Sequence, residues 1–109
     1  MIELKEFERE DGISPFGQWF DALNIPAATQ ITVALTRLKE GKHSRVKPVG
    51  RGVYEYTIDF GPGYRIYFGK DGEKIIILLY GGHKKRQQKD INQAVEYWQD
   101  YKKRKAKGA

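Results

Sequence analysis

The sequence predicts an α+β fold: an antiparallel sheet carrying an N-terminal helical hairpin and a C-terminal helix. Three observations predict it. Two apolar stripes with helical spacing occupy the first forty or so residues, alternating segments broken by glycine turns fill the middle, and a last helical stripe closes the chain. At 109 residues the chain can build one core but not two.

The opening "MIELKEF" alternates Ile2, Leu4 and Glu6 against Glu3, Lys5 and Phe7, as a short edge strand does. "DGISP" interrupts it, and Ser14 before Pro15 marks a helix start, with the hydroxyl capping free amides. Phe16, Trp19, Phe20 and Leu23 then form one apolar stripe. Pro26 in "NIP" opens a second helix, whose stripe is Ile31, Ala34, Leu35 and Leu38. Gly41 stands where a left-handed cap ends it. The very short turn between these helices predicts a hairpin, and both stripes are read as core.

From Lys42 the texture changes to strands. "VYEYTIDF" sets Tyr54, Tyr56, Ile58 and Phe60 against Val53, Glu55, Thr57 and Asp59, with Tyr54, Tyr56 and Phe60 expected in the core. After "GPG" at 61–63, Tyr64, Ile66 and Phe68 share one side of the next strand, and Arg65 and Tyr67 the other. Asp71-Gly72 is a two-residue hairpin signal leading into "EKIIILLYGG", apolar on both faces like a covered central strand. Ile91, Ala94, Val95 and Trp98 mark the last helix. The expected domain is 1–101, followed by a basic tail, 102–109, that frays.

Composition narrows the chemistry. There is no cysteine, and His43 and His83 lack the spacing of a local metal motif, so no metal or cofactor is expected. The N-terminus lacks a signal-peptide pattern, and "IIILLY" is too short to cross a bilayer, so a cytoplasmic protein without membrane contact is expected. Net charge is +6, with −4 in residues 1–30 and +10 in the remainder. A basic body suits a polyanion or an acidic protein as partner.

The cations have a pattern. Lys42, His43, Arg45, Lys47 and Arg51 crowd the connection into the sheet, Arg65 projects from the second meander strand, and Lys84, Lys85, Arg86 and Lys89 follow the third. In a meander the end of the third strand lies beside the start of the second, which brings Arg65 to the 83–86 segment. A guanidinium fork and an ammonium converging on one concavity suit a phosphodiester. Tyr67 adds a stacking surface, and His83 a group able to move protons. Without a metal, the RNA chemistry open to such a set is attack by a ribose 2′-hydroxyl on its own adjacent phosphate. A competing arrangement is structural: Arg65 paired with Glu55 or Asp59, residues 84–89 as a solvated first helical turn, and His83 as a polar turn residue.

Residues 52–98, "GVYEYTIDFGPGYRIYFGKDGEKIIILLYGGHKKRQQKDINQAVEYW", closely resemble the HigB-like branch of the RelE/ParE superfamily, the addiction-module killer proteins of type II toxin–antitoxin systems. "GPGYRIYF", "LLYGG" and "K..RQ.KDI..A..YW" carry the resemblance, and "GISPFGQWFDALN" extends it to the first helix. The resemblance implies a RelE/ParE-like α+β toxin, an endoribonuclease that cuts mRNA on the ribosome and so inhibits translation. It implies a cognate antitoxin, commonly of helix-turn-helix type, through which alone the operator DNA is reached. On the matched motif Arg65 takes the scissile phosphate, and Lys84 and Arg86 stand in the second basic cluster. Two departures are visible. Related sequences usually read "ELR" where this chain has Glu55-Tyr56-Thr57, and they commonly carry an acidic residue at His83. ParE-type members share the fold and inhibit DNA gyrase instead, and a catalytically inactive co-repressor is a further alternative.

Overall fold

The computed structural model describes residues 1–108. The chain runs β1 (Glu3–Glu6), α1 (Pro15–Asp21), α2 (Ile25–Lys39), β2 (Val46–Gly50), β3 (Val53–Ile58), β4 (Tyr64–Asp71), β5 (Ile75–His83), a 3-10 turn (Lys84–Arg86) and α3 (Gln87–Gly108). The sheet order is β1-β5-β4-β3-β2. β3 to β5 form the expected antiparallel meander, β2 adds a fourth antiparallel strand where only a connection was expected, and β1 lies parallel to β5, so the sheet is mixed and not purely antiparallel. The chain leaves β1, lays two helices over one face and returns through the meander. The last strand then arrives beside the first in the same direction.

Local chemistry sets the helix starts. Ser14 Oγ accepts from the Gly17 N–H at 2.9 Å, and Asn24 Oδ1 from the Ala27 N–H at 2.9 Å, each satisfying an amide that the first turn leaves free. Gly41, at φ 77°, ends α2 as expected. The helix inventory departs from a simple hairpin plus one. α1 has only seven residues and rests on β5, α2 packs across β3, and the 3-10 turn precedes α3. Each N-terminal helix is docked mainly on the sheet and not on its neighbour.

The sheet divides two clusters. On one side Phe16, Ile31, Ala34 and Leu38 pack on Tyr56, Ile58, Ile66, Phe68, Ile76 and Leu78. On the other, Ala94 and Trp98 of α3 cover Val53, Tyr67, Ile77 and Leu79, with Phe7 beside them. The alternation expected in β3 and β4 is therefore observed, and β5 is the covered central strand. Phe68 pairs with Leu78 but Tyr67 with Tyr80, so Leu79 is an extra residue that shifts the phase of the end of β5.

Three strand glycines make room for large groups. A Cβ at Gly81 would lie 2.2 Å from the Trp19 ring, one at Gly69 2.5 Å from Trp98, and one at Gly82 1.9 Å from Asp90 Oδ2.

The expected fraying tail is instead the end of α3, which continues through Gly108. Arg104 Nη2 donates to Glu8 O at 2.6 Å and lies over the Phe7 ring, while Lys105 pairs with Asp71, which also accepts from Tyr101. These contacts tie the basic segment to the body. Ala109, the last residue of that expected tail, lies outside the described residues.

At the β2 edge the Thr57 N–H donates to Arg45 O, so Arg45 and Lys47 bond inward while Val46 and Pro48 face outward. Among the described residues no helix is long and apolar enough to cross a membrane.

Candidate functional site

The start of β4 and the end of β5 meet at one corner. Arg65 pairs in register with Gly82, and Tyr64 with His83. Gly63 O joins the segments, accepting from the Lys84 N–H at 2.8 Å and from Arg65 Nη1 at 3.1 Å. Arg65 thus reaches the 83–86 corner, as its strand position predicts. The Gly63 backbone is the floor between the two cations, with a positive φ of 81°.

The Arg65 charge is not free. Its Nε lies 3.7 Å from Glu55 Oε1; the Arg65 side chain is 12% exposed and that of Glu55 0%. Pairing with Glu55 is the competing arrangement named above, and the structure contains it. Gln87 Nε2 holds the other Glu55 oxygen at 2.8 Å, and Lys47 Nζ approaches Oε1 to 3.7 Å from the exposed side. Glu55 Oε1, Arg65 Nε and the Tyr67 hydroxyl are buried with no hydrogen-bond partner among the described residues.

Tyr67 departs from its expected roles. It is fully buried, so it offers no stacking face to a base. Burial and then the nearby Glu55 and Asp90 carboxylates raise its pKa, so the phenol keeps its proton. His83 is half-buried, its Nδ1 is enclosed without a partner, and strand alternation sets it on the face opposite Arg65. Phe60, expected in the core, is instead 37% exposed at the turn. The strand ends at Ile58, so alternation no longer carries Phe60 inward.

Lys84, Lys85 and Arg86 are exposed on the 3-10 turn, and Lys89 on the first turn of α3. Lys47 is at the same corner, and so is Arg45, which pairs with Asp59 at 3.1 Å. The other expected cations are elsewhere. His43 lies beside Ile2, Lys70 and Gly72 at the opposite end of the sheet, next to Lys42, which pairs with Glu40 at 3.2 Å. Arg51 sits in the β2–β3 turn beside the Val53–Gly69 pair, about 13 Å along β4 from Arg65 at the usual strand rise. The basic surface is therefore two regions, of which one adjoins Arg65.

Three residues outside the expected set build this corner: Glu55, Gln87 and Asp90. Asp90 is 3% exposed, with its carboxylate over Gly82 and Arg86 Nε at 4.0 Å. Burial raises its pKa, opposed by Arg86 and His83. A sequence signal existed for each. Glu55 alternates in phase with Val53 on the buried face, and Gln87 and Asp90 continue the α3 stripe of Ala94 and Trp98 backwards at helical spacing.

No family model matches the chain. It is similar to an uncharacterized protein of Haemophilus influenzae, with 40% identity over 80 residues, 72% of this chain and 81% of that protein. Identity over that share of both chains shows common descent, and the chain belongs to the same family as the Haemophilus influenzae protein.

Proposed function

We propose that this chain is the toxin of a type II toxin–antitoxin module, a metal-independent endoribonuclease that cuts mRNA on the ribosome in the cytoplasm. The resemblance of residues 52–98 suggests the class. The observation that carries the reading is the shared Gly63 carbonyl, which accepts from the Arg65 guanidinium and from the Lys84 backbone N–H and so joins Arg65 to the exposed basic turn Lys84–Arg86.

In this reading the 2′-hydroxyl oxygen attacks the adjacent phosphorus and the bond to the 5′-oxygen breaks. The products are a cyclic phosphate and a 5′-hydroxyl end. Arg65 N–H groups and the Lys84 ammonium stabilise the charge that grows on the non-bridging oxygens. Arg86 and Lys47 hold flanking phosphates. The 2′-hydroxyl proton leaves to, and the 5′-oxygen takes one from, water or a group of the ribosome, since Tyr67 is buried and retains its proton and His83 stands on the face opposite Arg65. A cognate helix-turn-helix antitoxin is the partner that silences the protein.

The Glu55–Arg65 pair supports a second reading, because a neutralised guanidinium stabilises a phosphorane less than a free one. A co-repressor or gyrase-binding protein needs the basic surface without the cut. Brief induction followed by mapping of mRNA 5′ ends decides between them. Cuts within translated frames support the endonuclease, and growth arrest with intact mRNA refutes it. Arg65→Gln combined with Glu55→Gln keeps the interior neutral, and in this reading it abolishes cutting in a folded protein.

A further inference from the structure

Phe60 is the aromatic ring among the exposed large hydrophobic residues; the others, Met1, Ile13, Ile25 and Val33, are aliphatic. It lines a groove of about 380 Å³ with Asp59, Gly61, Pro62, Gly63 and Lys84. The turn that carries it is braced: the Phe60 N–H donates to Ile58 O at 3.1 Å, and the Gly63 N–H to Phe60 O at 3.0 Å. Gly61 at φ 56° and Gly63 at φ 81° permit that course of the backbone. The ring therefore stands at the surface on a fixed turn, next to an exposed ammonium and the Gly63 floor above Arg65.

We propose that Phe60 is a base-stacking residue: a nucleobase of single-stranded RNA lies on its ring while the adjoining phosphate sits on Lys84. The proposal rests on the RNA reading of this corner and names the contact that reading lacked once Tyr67 proved buried. An aromatic face beside a cation is how proteins hold unpaired nucleotides without reading their sequence. Asp59 opposes phosphate in the same groove, but Arg45 stands 3.1 Å from its carboxylate and offsets that charge. The single ring and single adjacent ammonium fit one nucleotide step, not a duplex.

The test measures binding of the full-length protein to a labelled ten-nucleotide oligouridylate over a range of salt concentrations. Phe60→Ala should weaken binding roughly tenfold, within the usual range for loss of one stacked base, with no change in salt slope. Phe60→Trp should restore it, and Lys84→Gln should lower the slope by about 0.7. Replacing uridines with abasic sites should erase the difference between wild type and Phe60→Ala. Equal affinity of wild type and Phe60→Ala, with Lys84→Gln still weakened, overturns the stacking role and leaves the RNA reading standing. No binding by the wild type overturns both. A change in solution mass on Phe60→Ala assigns the ring to contact between copies of the chain, and also overturns the proposal.

Discussion

Arg65 Nε and Glu55 Oε1 face each other at 3.7 Å inside the protein, close enough for charge to matter and too far for a hydrogen bond. The contact is half made. Gln87 fixes one Glu55 oxygen, and Lys47 competes with Arg65 for the other. Removing either member of a buried pair leaves the other uncompensated, which commonly costs about 3–5 kcal/mol. Here Lys47 and Gln87 still hold Glu55 when Arg65 is removed, and the Gly63 carbonyl and partial exposure ease Arg65 when Glu55 is removed. Glu55→Ala and Arg65→Ala should each destabilise by about 2–3 kcal/mol, and the double variant by clearly less than their sum. Urea unfolding of the four proteins measures the coupling; additive losses would show that the pair does not interact.

Trp19 over Gly81 predicts a steric result. A Cβ at Gly81 would meet the indole at 2.2 Å. Gly81→Ala should therefore cost about 2–3 kcal/mol, as overpacking does. Gly72→Ala meets no neighbouring atom, so its cost should come from backbone strain at φ 76° alone. Thermal melts that rank Gly72→Ala as the more damaging would contradict the packing described.

Two carboxylates predict opposite pH slopes. Burial raises the Asp90 pKa above 3.8, so the folded state keeps a proton that the unfolded chain has released. Stability from this group falls as pH rises from 3.8 through its folded value, and Asp90→Asn should remove that slope and stabilise the protein at pH 7. Lys105, then Tyr101, lower the Asp71 pKa below 3.8. Its contribution is present above 3.8 and is lost as pH falls through the lowered value, so Asp71→Asn should flatten the acid limb. Urea midpoints across pH 2–8 check both signs.

Arg104 and Lys105 predict that the basic end of α3 contributes to folding. Truncation after Tyr101 removes the Arg104 contacts with Glu8 and Phe7 and the Lys105 pair with Asp71. The expected loss is about 1–2 kcal/mol, or roughly 5–10 °C in melting temperature at this chain length. An unchanged melt would mean that the segment contributes only charge.

Most of the fold was legible because its signals are local. Ser14, Pro15 and Gly41 announce helix ends through backbone chemistry, and the alternation of 53–58 and 64–68 assigns faces that the two clusters reproduce. The direction of β1 was not legible, since pairing partners 72 residues apart leave no periodic trace. The corner at Arg65 followed from meander geometry, but its ion pair needed the depth of Glu55, which alternation places on a face without saying how far in. Phe60 was misplaced because the alternation was carried past Ile58, where the strand ends and the turn takes over. The continuation of α3 was hidden by composition: lysines read as solvent-bound until Glu8 and Asp71 are brought within reach.

Pro48 has no N–H to offer along the outward side of β2. A foreign strand aligning there would meet a gap in the row of donors at the middle of the edge, which discourages stacking of copies end upon end. A molecule that grips this border meets only a carbonyl at Pro48, so its hold there leans on side chains.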